Sequence, residues 1–124
     1  MGWVDVEILL KIFISYICII YSMFALSPKT KEIILKIFPT RDFKKVQTLL
    51  IEKAGINLPF YEKALPEDLE RIQFGILKES NGDLGKLLEA INLAQLDGRD
   101  LLMNAGFAHD INAHEKWANK LLHQ

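Results

Sequence analysis

An apolar run near the N-terminus is the feature that most restricts what this chain can fold into. Residues 8–26 read ILLKIFISYICIIYSMFAL, where 16 of 19 side chains are apolar and the exceptions are Lys11, Ser15 and Ser22. As a helix, 19 residues extend about 28 Å, close to the ~30 Å hydrocarbon core of a bilayer. Lys11 lies one turn from the end, where its aliphatic stem reaches the headgroups. The run therefore predicts a membrane span within an N-terminal segment of residues 1–27.

Three other interpretations of this run remain open. A cleaved signal peptide is disfavoured, because Asp5 and Glu7 occupy the place of its positive charges and no A-x-A-like cleavage site follows. A buried helix of a soluble protein is compatible with an all-apolar surface, but the remaining 98 residues scarcely surround it, so it would require self-association. Translation from Met23 would remove residues 1–22 altogether.

The charges beside the run predict its orientation. No Lys or Arg precedes it, whereas six follow within 19 residues: Lys29, Lys31, Lys36, Arg41, Lys44 and Lys45. The positive-inside rule then places residues 27–124 in the cytoplasm, as a single-pass membrane protein. Residues 27–53 hold seven basic and three acidic side chains, whereas residues 54–124 hold seven basic and eleven acidic ones. The basic part would attract anionic headgroups or serve only solubility.

The rest of the chain, residues 28–124, predicts a small all-α domain, because no segment alternates apolar and polar residues over a useful length. Helix starts are indicated by capping residues or proline at Ser27-Pro28, Thr40, Pro66, Asp83, Asp97 and Asp110 or Asn112. Stops are indicated at Pro39, Gly55, Asn81-Gly82 and Gly106. The tight link between residues 66–80 and 84–96 predicts an antiparallel helical hairpin. Residues 56–66 read as a packed connector.

Apolar side chains at helical spacing indicate the faces that form the core. One stripe runs through Leu65, Leu69, Ile72 and Ile76, a second through Leu84, Leu87, Leu88, Ile91 and Ala94, and a third through Trp117, Leu121 and Leu122. In residues 28–38 the apolar side chains cover most of the circumference. The fold class expected is one hydrophobic N-terminal helix followed by a small bundle of short helices.

Residues 70–102 read ERIQFGILKESNGDLGKLLEAINLAQLDGRDLL. They follow the outline E-R-x-Q-x-x-I-L-K-x-S-x-G-D, a second helix, and then D-x-R-D-x-L, with Gly98 where an aromatic often stands. This segment resembles a family of small bacterial all-helical proteins of unknown function. The resemblance covers about a quarter of the chain and implies a helical hairpin with short helices. It implies no activity, cofactor or ligand.

The densest group of polar residues offers the candidate site. Asp97, Arg99 and Asp100 form a polar knot in which Arg99 would grip an anion or a partner carboxylate. The structural interpretation has Asp97 capping a helix and Arg99 bridging to Asp83, Glu89 or Asp100. Glu70 and Arg71, with Gln73, are expected on the exposed side of their helix, as a binding face or as a contact between helices.

Other functional classes find little support. Asp110 and His114 lie four residues apart, but no H-E-x-x-H motif is present and the single cysteine, Cys18, cannot complete a metal site. The sequence has no G-x-S-x-G and no Gly-rich phosphate loop, and a net charge of −1 gives no case for nucleic acid. We therefore expect no catalytic residue, metal or cofactor, and a protein partner or second copy rather than a small molecule.

Overall fold

Helices make up the fold. The computed structural model describes residues 5–55, 58–59 and 66–124, with the side chains of residues 18–25 and 66–67 set aside. No strand occurs in these ranges, so the all-α prediction is confirmed. The helices are α1 (Val6–Ala25), α2 (Pro28–Ile37), α3 (Phe43–Lys53), α4 (Pro66–Ser80), α5 (Leu84–Leu96), α6 (Gly98–Ala105) and α7 (Ala113–Leu122). The predicted connector over residues 56–66 lies mostly outside the described residues.

Three helices begin at the capping side chains that the sequence predicts. Ser27, Asp83 and Asp97 have extended backbones, and each side chain accepts a hydrogen bond from a backbone N–H two or three residues later, at 3.0–3.1 Å. These bonds satisfy amides that the first turn of a helix leaves without partners. Gly106 ends α6 with a φ of +79°, a left-handed conformation that favours glycine.

Two other predicted starts differ in the structure. Thr40 begins a short 3-10 turn, and α3 follows at Phe43 without a side-chain cap. Before α7, Asp110 accepts a hydrogen bond from the Asn112 N–H at 2.8 Å, while Asn112 itself caps nothing. In the sequence, Asn112 and Glu115 have the spacing of a capping box, but no such box forms, because Asn112 has φ −102° and ψ 3° rather than the extended backbone that this motif needs.

The most deeply buried helix is α4. It contacts α2, α5, α6 and α7, and all six residues from 72 to 77 are buried. The sequence predicts a single buried stripe on this helix, with Ile72 and Ile76 facing the core. Both are indeed buried, but Phe74 and Leu77 are also fully buried, because neighbouring helices cover the other sides of α4. Leu65, the first member of the predicted stripe, lies outside the described residues.

The buried face of α5 is rotated from the predicted one. Leu87, Ile91 and Ala94 are buried as expected, but Leu88 is 41% exposed and Ala90 is 6% exposed. Positions 87, 90, 91 and 94 cluster on one side of a helix, whereas position 88 lies about 100° from position 87. Leu35 of α2 is likewise 53% exposed, so that part of the predicted apolar face does not enter the core.

Unlike α4, helix α1 leaves its described apolar side chains largely exposed. It begins after Asp5, whose carboxylate accepts a hydrogen bond from the Glu7 N–H at 3.0 Å, and it contacts α3. The large apolar side chains described on it are between 47% and 67% exposed: Val6, Ile8, Leu9, Leu10, Ile12, Phe13, Ile14, Tyr16 and Ile17. Among the residues described, no helix is long and apolar enough to cross a membrane.

Candidate functional site

Glu70 and Arg71 hold α4 to its neighbours. The Ser27 hydroxyl, at the start of α2, donates to Glu70 Oε1 at 3.2 Å and lies 2.8 Å from the Thr30 hydroxyl. Arg71 donates from its guanidinium to the Phe107 carbonyl, in the turn after α6. Both side chains are half-buried rather than exposed. Because each connects two separate parts of the chain, their geometry is that of a contact between helices.

Gln73 departs most from its predicted position. It is 4% exposed, and its side-chain amide donates to the Ala54 carbonyl at 3.1 Å. The expectation that Glu70, Arg71 and Gln73 share an exposed face is therefore wrong. Ala54, directly after α3, and the turn at Phe107 lie against Gln73 and Arg71, so these two side chains donate to backbone carbonyls instead of water. Such bonds are required where polar groups are buried.

The predicted polar knot consists of one capping residue and two exposed ones. Asp97 Oδ1 accepts hydrogen bonds from the backbone N–H groups of Arg99 at 3.0 Å and Asp100 at 3.3 Å. The side chains of Arg99 and Asp100 are exposed. In the described part of the chain no ion pair joins Arg99 to Asp83, Glu89 or Asp100, so that expected bridge is wrong. The capping role expected of Asp97 is confirmed.

A cleft lies beside this knot. Its volume is about 450 Å³, and one wall carries Asp97, Gly98 and Arg99 at the α5–α6 junction. Ile72, Ala94 and Leu102 supply apolar surface, and Asp68 lies at the α4 side. The structure thus brings Arg99 to the edge of a concave surface, whereas Glu70 and Arg71 do not line it. The five predicted residues therefore form two separate groups.

His114 is the buried ionisable residue that the sequence does not single out as part of the core. It is 3% exposed, and its ring lies 5.5 Å from the Phe74 ring and 6.3 Å from the Phe107 ring. Neither ring nitrogen has a hydrogen bond of normal geometry among the described residues, where the Ile111 backbone interacts only weakly with the ring, and Arg71 Nε likewise has no partner. The arrangement encloses a neutral imidazole, without access for a substrate.

Burial lowers the pKa of His114 below its ordinary value of 6.5, because an enclosed ring disfavours the charged form. The nearby carboxylates of Glu115 and Glu70 act in the opposite direction, and the Arg71 guanidinium adds to the lowering. Asp110 does not meet His114 but forms an ion pair with Lys116 at 2.9 Å, which lowers the pKa of Asp110. Within the described residues, no three His, Cys, Asp or Glu side chains are placed to hold a metal ion.

Lys78 and Gln95 are further polar contacts that the sequence does not reveal. The Lys78 ammonium donates to the Ala105 carbonyl at 2.6 Å and lies 5.1 Å above the Phe107 ring. Gln95 donates to the Lys53 carbonyl at 2.9 Å, joining α5 to the end of α3. Their partners are backbone carbonyls distant in sequence, so no local pattern identifies them. The predicted docking of α7 through Trp117, by contrast, is confirmed, with its ring 5.9 Å from that of Phe107.

Comparison with known proteins gives no further information about the site. No family model, curated protein or solved structure matches the chain.

Proposed function

We propose that this chain is a small membrane-anchored protein. Residues 8–26 are the anchor, and the helical domain of residues 28–124 is a non-catalytic interaction module on the cytoplasmic side. Within that module, α4 and α5 form an antiparallel hairpin, since they contact each other and three residues join them. The resemblance of residues 70–102 to small bacterial helical proteins stays a prediction about this hairpin.

The exposure of α1 is the observation that carries the proposal. Its large apolar side chains from Val6 to Ile17 are about half exposed or more, and they lie all around the helix except on the side of Glu7, Lys11 and Ser15. Exposing this apolar surface to water would cost about 25 cal/mol of free energy for each Å². Soluble monomers rarely expose apolar patches beyond about 300–600 Å². In the sequence the apolar run continues to Leu26. A bilayer solvates such a surface on all sides.

Carbonate extraction of membranes that contain the full chain tests the anchor. We expect the chain to remain in the pellet, and the double variant Ile14→Asp, Ile17→Asp to appear in the supernatant. Each of these charges near the middle of the span costs about 2.5–3.5 kcal/mol on insertion. The matched control is Leu96→Asp, at an apolar residue of the bundle that is 85% exposed, and it should stay in the pellet. Carbonate-soluble wild-type protein would refute the anchor, and a defined soluble oligomer would favour self-association in water.

The orientation has a test of its own. The basic residues that follow the run support a cytoplasmic bundle. A variant with Cys18→Ser and Leu96→Cys carries its single thiol on the bundle surface. A membrane-impermeant maleimide should label it in lysed cells and leave it unlabelled in intact spheroplasts. Equal labelling in both would place the bundle outside.

A second candidate function rests on the cleft beside Arg99. With a guanidinium at the edge of an apolar concavity of about 450 Å³, it suits a small apolar carboxylate. Benzoate is a suitable probe, with binding followed by NMR shifts of residues 94–102. Arg99→Ala should abolish the shifts without lowering the melting temperature, while Arg41→Ala, at another exposed arginine, should leave them unchanged. If benzoate causes no shifts in the wild type, this candidate fails.

A further inference from the structure

The non-apolar residues of α1 fall on one side of the helix. Glu7, Lys11 and Ser15 succeed one another at intervals of four, and the sequence continues with Cys18 and Ser22. At 100° per residue, these five positions occupy an arc of about 80°. The backbone is helical throughout Val6–Ala25, so the register is unbroken. We call these five residues the polar stripe.

The rest of the circumference is apolar. On the described part of α1, the side chains of Leu9, Phe13 and Ile17 lie away from the polar stripe and are 47–59% exposed. The stripe residues Glu7, Lys11 and Ser15 are exposed as well. Lipid chains suit the apolar surface but offer no hydrogen-bond partner to the Ser15 hydroxyl, whereas Glu7 and Lys11 lie close to the headgroups.

A shallow groove runs beside the polar stripe. Its volume is about 370 Å³, and Lys11, Ile12, Ser15 and Tyr16 line it. It opens where the small side chain of Ser15 follows the longer Lys11 by one turn. Small residues on a membrane helix let another backbone approach closely, and hydroxyl groups there can form hydrogen bonds between helices.

From the stripe and its groove we propose that two copies of this chain pair through α1 in the bilayer, in parallel, with the polar stripes facing each other. This inference rests on the proposed membrane anchor. The stripe holds one carboxylate and one ammonium group a turn apart, so two copies bring together a neutral set of two Glu7 and two Lys11 side chains. The positions from 11 to 22 recur at intervals of 4, 3 and 4, the spacing of helices that cross in a left-handed pair.

A second copy fits this surface better than an unrelated helix does. The two Glu7 and two Lys11 side chains of a pair form a neutral set, in which each carboxylate lies one helical turn from the ammonium group of the other copy, and a twofold pair uses the same surface on both subunits. All copies insert with the same orientation, so a pair in one membrane is parallel and each position faces its equivalent. Position 18 of one copy therefore lies opposite position 18 of the other.

Oxidative cross-linking of the full chain in membranes tests this geometry, since Cys18 is the only cysteine. With copper–phenanthroline, the wild type should give a disulfide-linked dimer on a non-reducing gel, because a disulfide needs Cα atoms within about 7 Å. The matched control is Cys18→Ser, Ile20→Cys, which moves the thiol by about 3 Å in depth and about 200° around the helix. It should give no dimer. Dimers from both variants, or from neither, would overturn the pairing through the stripe.

A second pair of variants tests the groove without moving the cysteine. Ser15→Leu enlarges a stripe residue and should lower the cross-linked fraction about tenfold, the loss of about 1.4 kcal/mol of pairing energy. Phe13→Leu changes a side chain outside the stripe and should leave that fraction unchanged. Equal effects of the two changes would contradict the stripe as the contact surface.

Each sample is also divided by carbonate extraction before the gel, which separates the two proposals. Monomeric chain in the pellet would overturn the pairing and leave the anchor intact. Chain in the supernatant would overturn the anchor, and with it a pairing that takes place in the bilayer. A Cys18 dimer confined to the pellet supports both.

Discussion

Helices α1 and α4 are both rich in apolar residues, but they differ in what covers those residues. On α4, Phe74, Ile76 and Leu77 are fully buried, because α2, α5, α6 and α7 surround them. On α1, Phe13 and Ile14 remain 59% and 57% exposed. The bundle has enough helices to enclose one apolar helix. The other helix keeps about half of its described apolar surface uncovered by the chain.

The two helices also differ in the surroundings of their polar side chains. On α4, Gln73 and Arg71 donate to the carbonyls of Ala54 and Phe107, so each of these two side chains has a hydrogen-bond partner within the chain. On α1, Lys11 and Ser15 lie exposed beside apolar neighbours. A buried helix in a bundle thus finds its contacts within its own chain, whereas in our proposals a bilayer and a second copy supply those of α1.

The largest difference in the free energy of unfolding should appear when an aromatic side chain is shortened on α4 and, separately, on α1. Phe74→Ala removes a fully buried ring that contacts His114 and Trp117, and should lower the free energy of unfolding by about 3–5 kcal/mol. Phe13→Ala should leave the bundle's unfolding unchanged, since this ring lies outside the core. Denaturant titration of the full chain in detergent, followed by Trp117 fluorescence in a Trp3→Phe background, measures both. If the two changes destabilise equally, α1 is part of the bundle's core and the comparison fails.

A smaller effect is expected where the turn before α5 packs on α2. Gly82 has a φ of +82°, and a Cβ built there would lie 2.8 Å from the Ile37 carbonyl oxygen. Gly82→Ala should therefore cost about 1–3 kcal/mol. In Gly75→Ala, the added Cβ would lie 3.6 Å from that of Ala105, an ordinary contact, so the higher helix propensity of alanine should stabilise α4 by up to about 1 kcal/mol. The same titration distinguishes these opposite signs, and a neutral Gly82→Ala would show that the bundle yields at this contact.

Local signals in the sequence predict much of this fold. Ser27, Asp83, Asp97 and Gly106 mark helix ends correctly, because a cap depends on residues within one turn of itself. The capping function of Asp97 was predictable for the same reason. The sequence does not show that Asn112 fails as a cap, because the preceding turn, in which Asp110 accepts from the Asn112 N–H, keeps the Asn112 backbone from the extended form.

Burial is harder to predict, since it depends on which distant segments meet. A single stripe on α4 was a reasonable expectation, yet the helix is covered on several sides. Nothing near Gln73 or His114 in sequence indicates their burial, because their neighbours are Ala54 in one case and Phe74 and Phe107 in the other. For the same reason the sequence could name five candidate residues but could not indicate that the fold places them in two separate groups.

Acid should destabilise the bundle through His114. Protonation would place a charge in the bundle core, whereas the charged side chains of α1 are exposed. The pKa of His114 is lower in the folded chain than its ordinary 6.5, so the unfolded chain takes up a proton first as the pH falls. The stability that comes from a neutral His114 is therefore fully present above about pH 7. As the pH drops below 6.5, the free energy of unfolding falls by about 1.4 kcal/mol for each pH unit, until the pH reaches the lower pKa of the folded chain.

A series of denaturant titrations between pH 7.5 and pH 5, at about half-unit steps, measures this slope. His114→Phe keeps an aromatic ring between Phe74 and Phe107 and should remove most of the dependence. His109→Phe, at an exposed histidine, is the matched control and should retain it. A slope that persists in His114→Phe would assign the acid sensitivity to another group. The Asp110–Lys116 pair acts only at lower pH, as the pKa of Asp110 lies below its ordinary 3.8.

The smallest effects on the free energy of unfolding should appear at the α5–α6 junction. Its polar side chains are exposed on the bundle surface, as the polar side chains of α1 are exposed on that helix. Asp97→Ala removes the acceptor for the Arg99 and Asp100 amides and should cost about 1 kcal/mol, while Asp97→Asn, which still caps, should cost less. Arg99→Ala should change the free energy of unfolding by no more than about 0.5 kcal/mol, because its side chain is exposed. If Arg99→Ala were instead to destabilise as much as Asp97→Ala, the guanidinium would be a structural contact, and the cleft would lose the free charge that makes it a candidate binding site.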